Sequence, residues 1–402
     1  MSILTELNQH TVWETFLQYK LEKNRLSPKE QELWKNFVEN REYKEVTEQL
    51  ADEEYCFDYP TKVCVNKSGT RKKRIVYSFS EKESMVLKAM AFLLYRYDDK
   101  ISPCCYSFRR SKSAKDAIAQ ILTIPQLDNQ YCLKVDISNY FNSIPTELLI
   151  EVLEDIITDD RPLVQFLTKL LRVGKVYDNG NVVLEERGAM AGIPIAPFFA
   201  NIYLQTMDEA FERMGVYYFR YSDDILIFAE SQEILQEYYD FLQQCISEKG
   251  LALNQDKVKV TKPGEAWDFL GFCYRDGKVD LSQVTKHKLK AKIKRKANSL
   301  YRWRMKKNAD FEQTAKNMIR TFNKKFYDDT DENRFTWSRW FFPVLTTDEG
   351  LREMDAYMVQ YIRFLSSGRH YKGNYRITYE EIKNLGYRSL VHEYYRGKEE
   401  QG

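Results

Sequence analysis

Residues 217–229 read YYFRYSDDILIFA, two apolar and aromatic runs on either side of a Ser-Asp-Asp tip. Tyr217, Tyr218, Phe219 and Tyr221 favour an extended chain, as do Ile225, Leu226, Ile227 and Phe228. Aspartate is depleted inside strands and common in tight turns. The stretch therefore predicts a β-hairpin that carries Asp223 and Asp224 at its bend, on the rim of a sheet where carboxylate oxygens can hold hard cations. Taken alone, the same residues would also suit an ordinary surface turn.

The surrounding chain narrows the choice. Its 402 residues suggest two or three domains. Hydrophobic residues make up 43% and charged residues 30%, enough for a globular core. With 16 glycines and 10 prolines, most of the chain should be regular structure. The seven cysteines are scattered without a C-x-x-C pair, and with four histidines this speaks against a zinc site. Free thiols fit a reducing cytosol, so a cytoplasmic location is expected. No apolar run approaches the ~18 residues of a membrane span, and MSILTELNQH lacks the pattern of a signal peptide.

Read in order, residues 1–60 form a helical extension, with a helix start at Ser27-Pro28. Residues 61–79 suggest two strands around a Ser68-Gly69 turn, with Arg71, Lys72, Lys73 and Arg74 leading into the second. A helix is expected near 81–98 and another from Ser113, preceded by Phe108-Arg109-Arg110. Basic clusters at a hairpin and a helix start can hold phosphates, although a solvated charge run would look the same. In YCLKVDISNYFNSIP, a strand from Tyr131 ends in Asp136, and an amphipathic helix follows Pro145. Asp178-Asn179-Gly180-Asn181 is a hairpin turn. Gly188 and Gly192 give a permissive loop, and Pro194 and Pro197 open a long helix. After the 217–229 hairpin come a helix at 231–248, a strand near 250–260 and a second hairpin turning at Asp276-Gly277. From residue 131 on, this is close to a βαββαβ ferredoxin-like plan. Residues 284–307 then carry Lys286, Lys288, Lys290, Lys292, Lys294, Arg295 and further basic side chains with no acidic one, a helix suited to a phosphate backbone.

In such a plan the strand ending in Asp136 lies beside the 217–229 hairpin that carries Asp223 and Asp224, so Asp136 and Asp223 could converge on two divalent ions. Carboxylates that clamp two Mg²⁺ support in-line phosphoryl transfer. At this point YSDD (221–224), VDISNYF, GIPIAPFFANIYLQTMD, GLALNQDKVK, FLGF, RIVYSF and YSFRRSKSAKDAI together resemble, in order, the motifs of bacterial reverse transcriptases of the group II intron, retron and diversity-generating type. The resemblance implies an α+β right-hand polymerase: fingers over 61–130, a ferredoxin-like palm over 131–280 with part of the fingers near 159–187, and a helical basic thumb and C-terminal region over 281–402.

It also implies roles. Asp136 and Asp223 would bind the two Mg²⁺, which Mn²⁺ could replace, with Asp224 in support. Lys257 would protonate pyrophosphate, and Phe141 would stand as a steric gate against a 2′-hydroxyl. Lys73 or Arg74, with Arg109, would contact the triphosphate, and Pro194 and Ile195 would line the nucleotide pocket. Tyr221, Phe269, Leu270 and Gly271, with Lys290, Lys294 and Arg295, would hold the primer and template. The departure is Pro194-Ile195-Ala196, where many members have Pro-Gln-Gly, so the pocket-lining Gln is absent. The implied partners are an RNA template, a DNA or RNA primer, dNTPs and a cognate non-coding RNA, in a setting of antiphage defence. An RNA-dependent RNA polymerase shares the aspartates, but Tyr221 and Phe141 speak against it. A non-catalytic RNA-binding cofactor with a polymerase fold is the rival from another class, and the intact aspartates speak against that.

Overall fold

A computed structural model describes residues 1–23, 26–51, 57–66, 73–185, 188–327 and 336–399. It divides into two compact units, Met1–Pro263 and Gly264–Gly402.

The first unit opens with helices Ile3–Glu6, His10–Lys23, Pro28–Glu39 and Lys44–Ala51, the expected extension. Ser27 caps the third, and Glu30 completes a capping box. Trp13, Phe16, Trp34, Phe37 and Tyr43 bury the inner faces, with Trp13 stacked on Tyr43 at 4.4 Å. Arg110 pins this layer, lying over the rings of Tyr19, Phe92 and Tyr95.

Strands β1 (Thr61–Asn66) and β2 (Lys73–Ser78) pair antiparallel. The Ser68-Gly69 turn, Arg71 and Lys72 lie outside the described residues. Helix Glu81–Leu94 follows, then helix Ala114–Ile121, which starts after Ser113 as predicted. Next come β3 (Tyr131–Asp136), helices Thr146–Ile156 and Arg161–Arg172, and the hairpin β4 (Lys175–Asp178) and β5 (Asn181–Leu184). Asn179 and Gly180 have φ of 50° and 86°, the mark of a type I′ turn. β4 joins β1 in parallel, which makes a sheet of order β2-β1-β4-β5.

The long helix expected after Pro194 is two helices, Ala196–Tyr203 and Gln205–Arg213. The break at Leu204 lets the buried Gln205 bind Lys100 O (2.7 Å) and accept from Ser102 N (2.9 Å). Then follow β6 (Tyr217–Tyr221), β7 (Asp224–Ala229), helix Gln232–Glu248 and β8 (Lys259–Thr261). With β3 they form an antiparallel sheet ordered β6-β7-β3-β8. By appearance that is second, third, first, fourth, the ferredoxin-like order. Ile225, Leu226 and Ile227 are each 0% exposed, so β7 is covered on both faces, which explains an unbroken apolar run.

The second unit begins with an antiparallel sheet of β9 (Trp267–Phe269), β10 (Phe272–Arg275) and β11 (Lys278–Leu281). These strands group with the helices after them and not with β3, β6 and β7. Asp276 and Gly277 make their turn with φ of 48° and 73°. Helix Gln283–Lys307, capped by Ser282, is followed by helices Phe311–Tyr327, Glu349–Ser367 and Leu390–Glu399. Leu289, Ile293 and Ala297 are the buried stripe of the basic helix. Among the described residues no helix is long and apolar enough to cross a membrane.

Candidate active site

The three aspartates meet at one end of the β3–β7 pair. Asp136 is the last residue of β3, Asp224 the first of β7, and the register sets them directly opposite each other. Asp223 occupies the two-residue turn with Ser222, and its carbonyl accepts from Ile137 N (3.1 Å), which ties the turn to the end of β3. Like charges placed opposite one another are unfavourable. Burial holds the Asp223 carboxyl above the usual carboxylate range, and repulsion from Asp136 adds to this. Burial does the same to Asp224. Lys257, on the short turn Gln255–Lys257, sets its ammonium 2.5 Å from Asp136 Oδ2. Its side chain is 46% exposed, against 9% for that of Asp136. Arg74 and Lys134 add positive potential, acting on Asp223 and Asp224 respectively.

A strained loop supports the neighbouring ring. Phe141 is the second residue of a short helical turn, Tyr140–Ser143, and its carbonyl accepts from Ala189 N (2.8 Å). Gly188 has φ +55°, and a Cβ there would lie 2.7 Å from Phe141 O. Gly192 has φ +108°, and its Cβ would meet Tyr77 O at 2.9 Å. Tyr77 N donates to Ala191 O (2.8 Å), and Asn142 ties both sides by donating to Ile75 O and accepting from Ala191 N. The loop thus clasps the Phe141 turn and β2 together. Arg74, exposed on β2, lies 5.7 Å over the Phe141 ring, while Lys73 beside it is exposed.

Other expected site residues are placed differently. The Arg109 guanidinium donates to Asp98 O, Ser102 O and Cys105 O, so it fastens its own loop and is not presented to a triphosphate. Ile195 is 0% exposed and belongs to the core, so it does not line a nucleotide pocket. Pro194 lines a cavity of about 120 Å³ with Phe108, Pro197, Phe198 and Asn201. Phe108 went unassigned in the sequence. It has φ +53°, is 41% exposed, and sits 6.3 Å from both the Phe141 and the Tyr221 rings.

In the second unit, Leu270 and Gly271 form the β9–β10 turn with φ of 51° and 93°. Gly271 O accepts from Ser282 N and Thr285 Oγ1, both at 2.9 Å, which docks the turn on the start of the basic helix. Phe269 is fully buried, so only Leu270 and Gly271 of this trio reach the surface. Lys290 is bound to Glu353 (2.5 Å), which also holds Lys286 (2.8 Å). That commits Lys290 to the helix pair, while Lys294 and Arg295 remain exposed.

Beneath the turn lies a polar group that the sequence reading passed over. Arg220 and Asp208, both 0% exposed, form a fork through Nε–Oδ1 (2.8 Å) and Nη2–Oδ2 (2.5 Å). A charged residue inside the run YYFRY was the available signal, because an arginine in a covered strand requires a buried partner.

Among the described residues no three His, Cys, Asp or Glu side chains close into a metal cage. The donor set nevertheless suits Mg²⁺, which takes few protein carboxylates and keeps waters and substrate phosphates. Opposed, partly buried carboxylates that repel each other are what a divalent cation would relieve.

Residues 65–274 match the family model described as Reverse transcriptase (RNA-dependent DNA polymerase). The Retron Ec86 reverse transcriptase of Escherichia coli is 26% identical over 235 residues, covering 57% of this chain and 67% of that protein. The putative COX1/OXI3 intron 2 protein of Saccharomyces cerevisiae is 25% identical over 253 residues, covering 48% of this chain but only 29% of that protein's length. Among solved structures, telomerase from Candida albicans with the TWJ fragment of telomeric RNA aligns at TM-score 0.44 and 13% identity, over 87% of this chain and 68% of that one. The matched stretch takes in β3, β6, β7, the Phe141 turn and the glycine loop, and it makes this chain a member of the reverse transcriptase family, with that family's α+β right-hand polymerase fold.

Proposed function

We propose that the chain is an RNA-directed DNA polymerase. The observation that carries the reading is the register that opposes Asp136 to Asp224, with Asp223 in the adjoining turn. Family membership supports it. Asp136 and Asp223 would hold two Mg²⁺, with Asp224 in support; the ions would neutralise charge on the attacking and leaving oxygens of an in-line phosphoryl transfer. The chain's own residues supply the rest. Arg74, and Lys73 beside it, would bind the triphosphate. Phe141 would exclude a 2′-hydroxyl from the sugar site. Lys257 would hold the proton that the departing pyrophosphate takes up. Leu270, Gly271, Lys294 and Arg295 would contact primer and template.

In domain terms the β2-β1-β4-β5 sheet would be fingers, the β6-β7-β3-β8 sheet the palm, and the C-terminal helices the thumb. The template proposed is a structured non-coding RNA and the setting antiphage defence in a bacterial cytoplasm. Sequencing RNA and DNA that co-purify with the protein tests this, with one recurrent RNA and its cDNA as the expected result.

The test of the activity is extension of a primed RNA with dNTPs and Mg²⁺, set beside the Asp223→Ala, Asp224→Ala variant. Incorporation lost in the variant is the expected result. Preference for NTPs would favour an RNA polymerase, and no incorporation at all a binding module.

A further inference from the structure

We infer that Arg220, Asp208, Ser107 and Asn201 are positioning residues that set where Asp223 stands relative to Asp136. The inference rests on the polymerase reading and concerns groups that touch neither metal nor substrate in that reading.

Ser222 has φ +61°, a left-handed conformation that residues other than glycine adopt only when their surroundings impose it. Its own side chain does not impose it, since the buried Oγ has no hydrogen-bond partner among the described residues. The backbone is gripped instead from both sides. Ser222 N donates to Ser107 Oγ (2.9 Å), and Ser222 O accepts from Arg220 Nη1 (3.4 Å).

Each grip is itself anchored. Ser107 Oγ donates to Asn201 Oδ1 (2.8 Å), while Asn201 Nδ2 donates to Ser107 O (2.7 Å). Arg220 Nη2 also donates to Asn201 O (3.0 Å) beyond its fork on Asp208, and Tyr218 Oη donates to Asp208 Oδ1 (2.7 Å). The main chain of Arg220 is fixed too, with N donating to Cys104 O and O accepting from Tyr106 N, each at 2.9 Å. All of these side chains are sealed from solvent: Ser107, Asp208 and Arg220 at 0% exposure, Asn201 at 1% and Ser222 at 5%.

The assembly gathers four separate elements: the loop before helix Ala114–Ile121, helix Ala196–Tyr203, helix Gln205–Arg213 and strand β6. They converge on the backbone of one residue, Ser222, next in the chain to Asp223. An ion pair that served the core alone would need neither the Ser107–Asn201 arm nor a hydrogen bond to the turn. A turn held at one end by this network and at the other by Ile137 N has little room to drift, and small displacements at a reacting centre are expensive.

Ser107→Ala is the informative variant, because it removes one acceptor and leaves the ion pair whole. Arg220→Lys keeps the charge and loses the fork, and guards against a misleading result from one substitution. Both are compared with wild type in three measurements on the full chain. These are thermal unfolding, the split between kcat and the KM for dNTP on primed RNA, and Mn²⁺ binding followed by electron paramagnetic resonance without nucleic acid. The expected result for Ser107→Ala is a ~10- to 100-fold fall in kcat with dNTP KM nearly unchanged, weaker Mn²⁺ binding and a melting temperature within a few degrees of wild type. Restored Mn²⁺ binding in Ser107→Thr, which keeps the hydroxyl, would add support. Unchanged kcat and unchanged Mn²⁺ affinity in both variants would overturn the inference and leave an ordinary core ion pair. If wild type extends no primer, the polymerase reading fails by itself. The Mn²⁺ arm then decides: affinity lowered in the variants supports positioning, and no loss, or no Mn²⁺ binding by wild type, overturns it.

Discussion

Two ion pairs flank the Ser222–Asp223 turn, and they are built in opposite ways. Arg220–Asp208 lies beneath it, both side chains fully buried, with a forked geometry and further hydrogen bonds on each partner. Lys257–Asp136 lies at the mouth, a single contact from a lysine that is 46% exposed. A buried pair that loses one member leaves a stranded charge, whereas a half-exposed lysine exchanges its carboxylate for water, and the carboxylate its lysine for a cation, at lower cost. The lower pair is suited to hold geometry, and the upper pair to be given up when a cation arrives.

The sharpest way to break that contrast is by stability. Arg220→Met should cost ~3–5 kcal/mol in urea unfolding, because Asp208 stays charged and unpaired. Lys257→Met should cost under ~1 kcal/mol. Equal costs would erase the distinction. Turnover tests the upper pair apart from stability: Lys257→Met should lower dNTP incorporation ~10²-fold in single-turnover assays while melting stays unchanged, as expected for loss of the proposed proton donor. Next in size, Phe141→Ala should raise the use of ribonucleotides relative to dNTPs by ~10-fold or more, a shift of ~1.4 kcal/mol. Unchanged selectivity would remove the ring from the sugar site.

A smaller effect follows from charge. Burial holds both Asp223 and Asp224 above the usual carboxylate range. A carboxyl raised on folding favours the folded state below its unfolded pKa and loses that contribution as pH rises through the folded value. Metal-free protein at neutral pH should therefore gain ~1–2 °C of melting temperature in Asp224→Asn. Mn²⁺ affinity should begin to weaken on acidification at a pH above that of an ordinary carboxylate. Smallest of all, Lys294→Gln with Arg295→Gln should flatten the salt dependence of primer–template binding by ~1 per residue, whereas Lys290→Gln, already neutralised by Glu353, should leave it nearly unchanged.

Much of the site was legible in the sequence because it is written in local rules. Asp136, Asp223 and Asp224 stand where apolar strand runs stop, and turn chemistry alone locates such points. The ferredoxin-like order likewise followed from alternating strands and helices. What stayed hidden depends on which way a side chain turns once the chain is packed. Arg109 and Arg110 looked like phosphate ligands, yet one serves backbone carbonyls and the other an aromatic cluster. Lys290 looked like its neighbours on the basic helix until Glu353 arrived from another helix. Ile195 occupies a motif position whose usual residue is polar, and an apolar side chain there follows the core. The Arg220–Asp208 pair joins residues of a helix and the strand after it, and spacing alone does not report such a partnership.

Gly192 has a consequence of a mechanical kind. With no room for a Cβ against β2, and with Gly188 pressed as closely on the Phe141 turn, the loop between them acts as a stiff linkage. The strand that carries Lys73 and Arg74 and the Phe141 ring are then two ends of one lever, so in the proposed reading a shift at the phosphate end is felt at the sugar end. A selection for ribonucleotide tolerance should accordingly return substitutions at Gly192 as well as at Phe141.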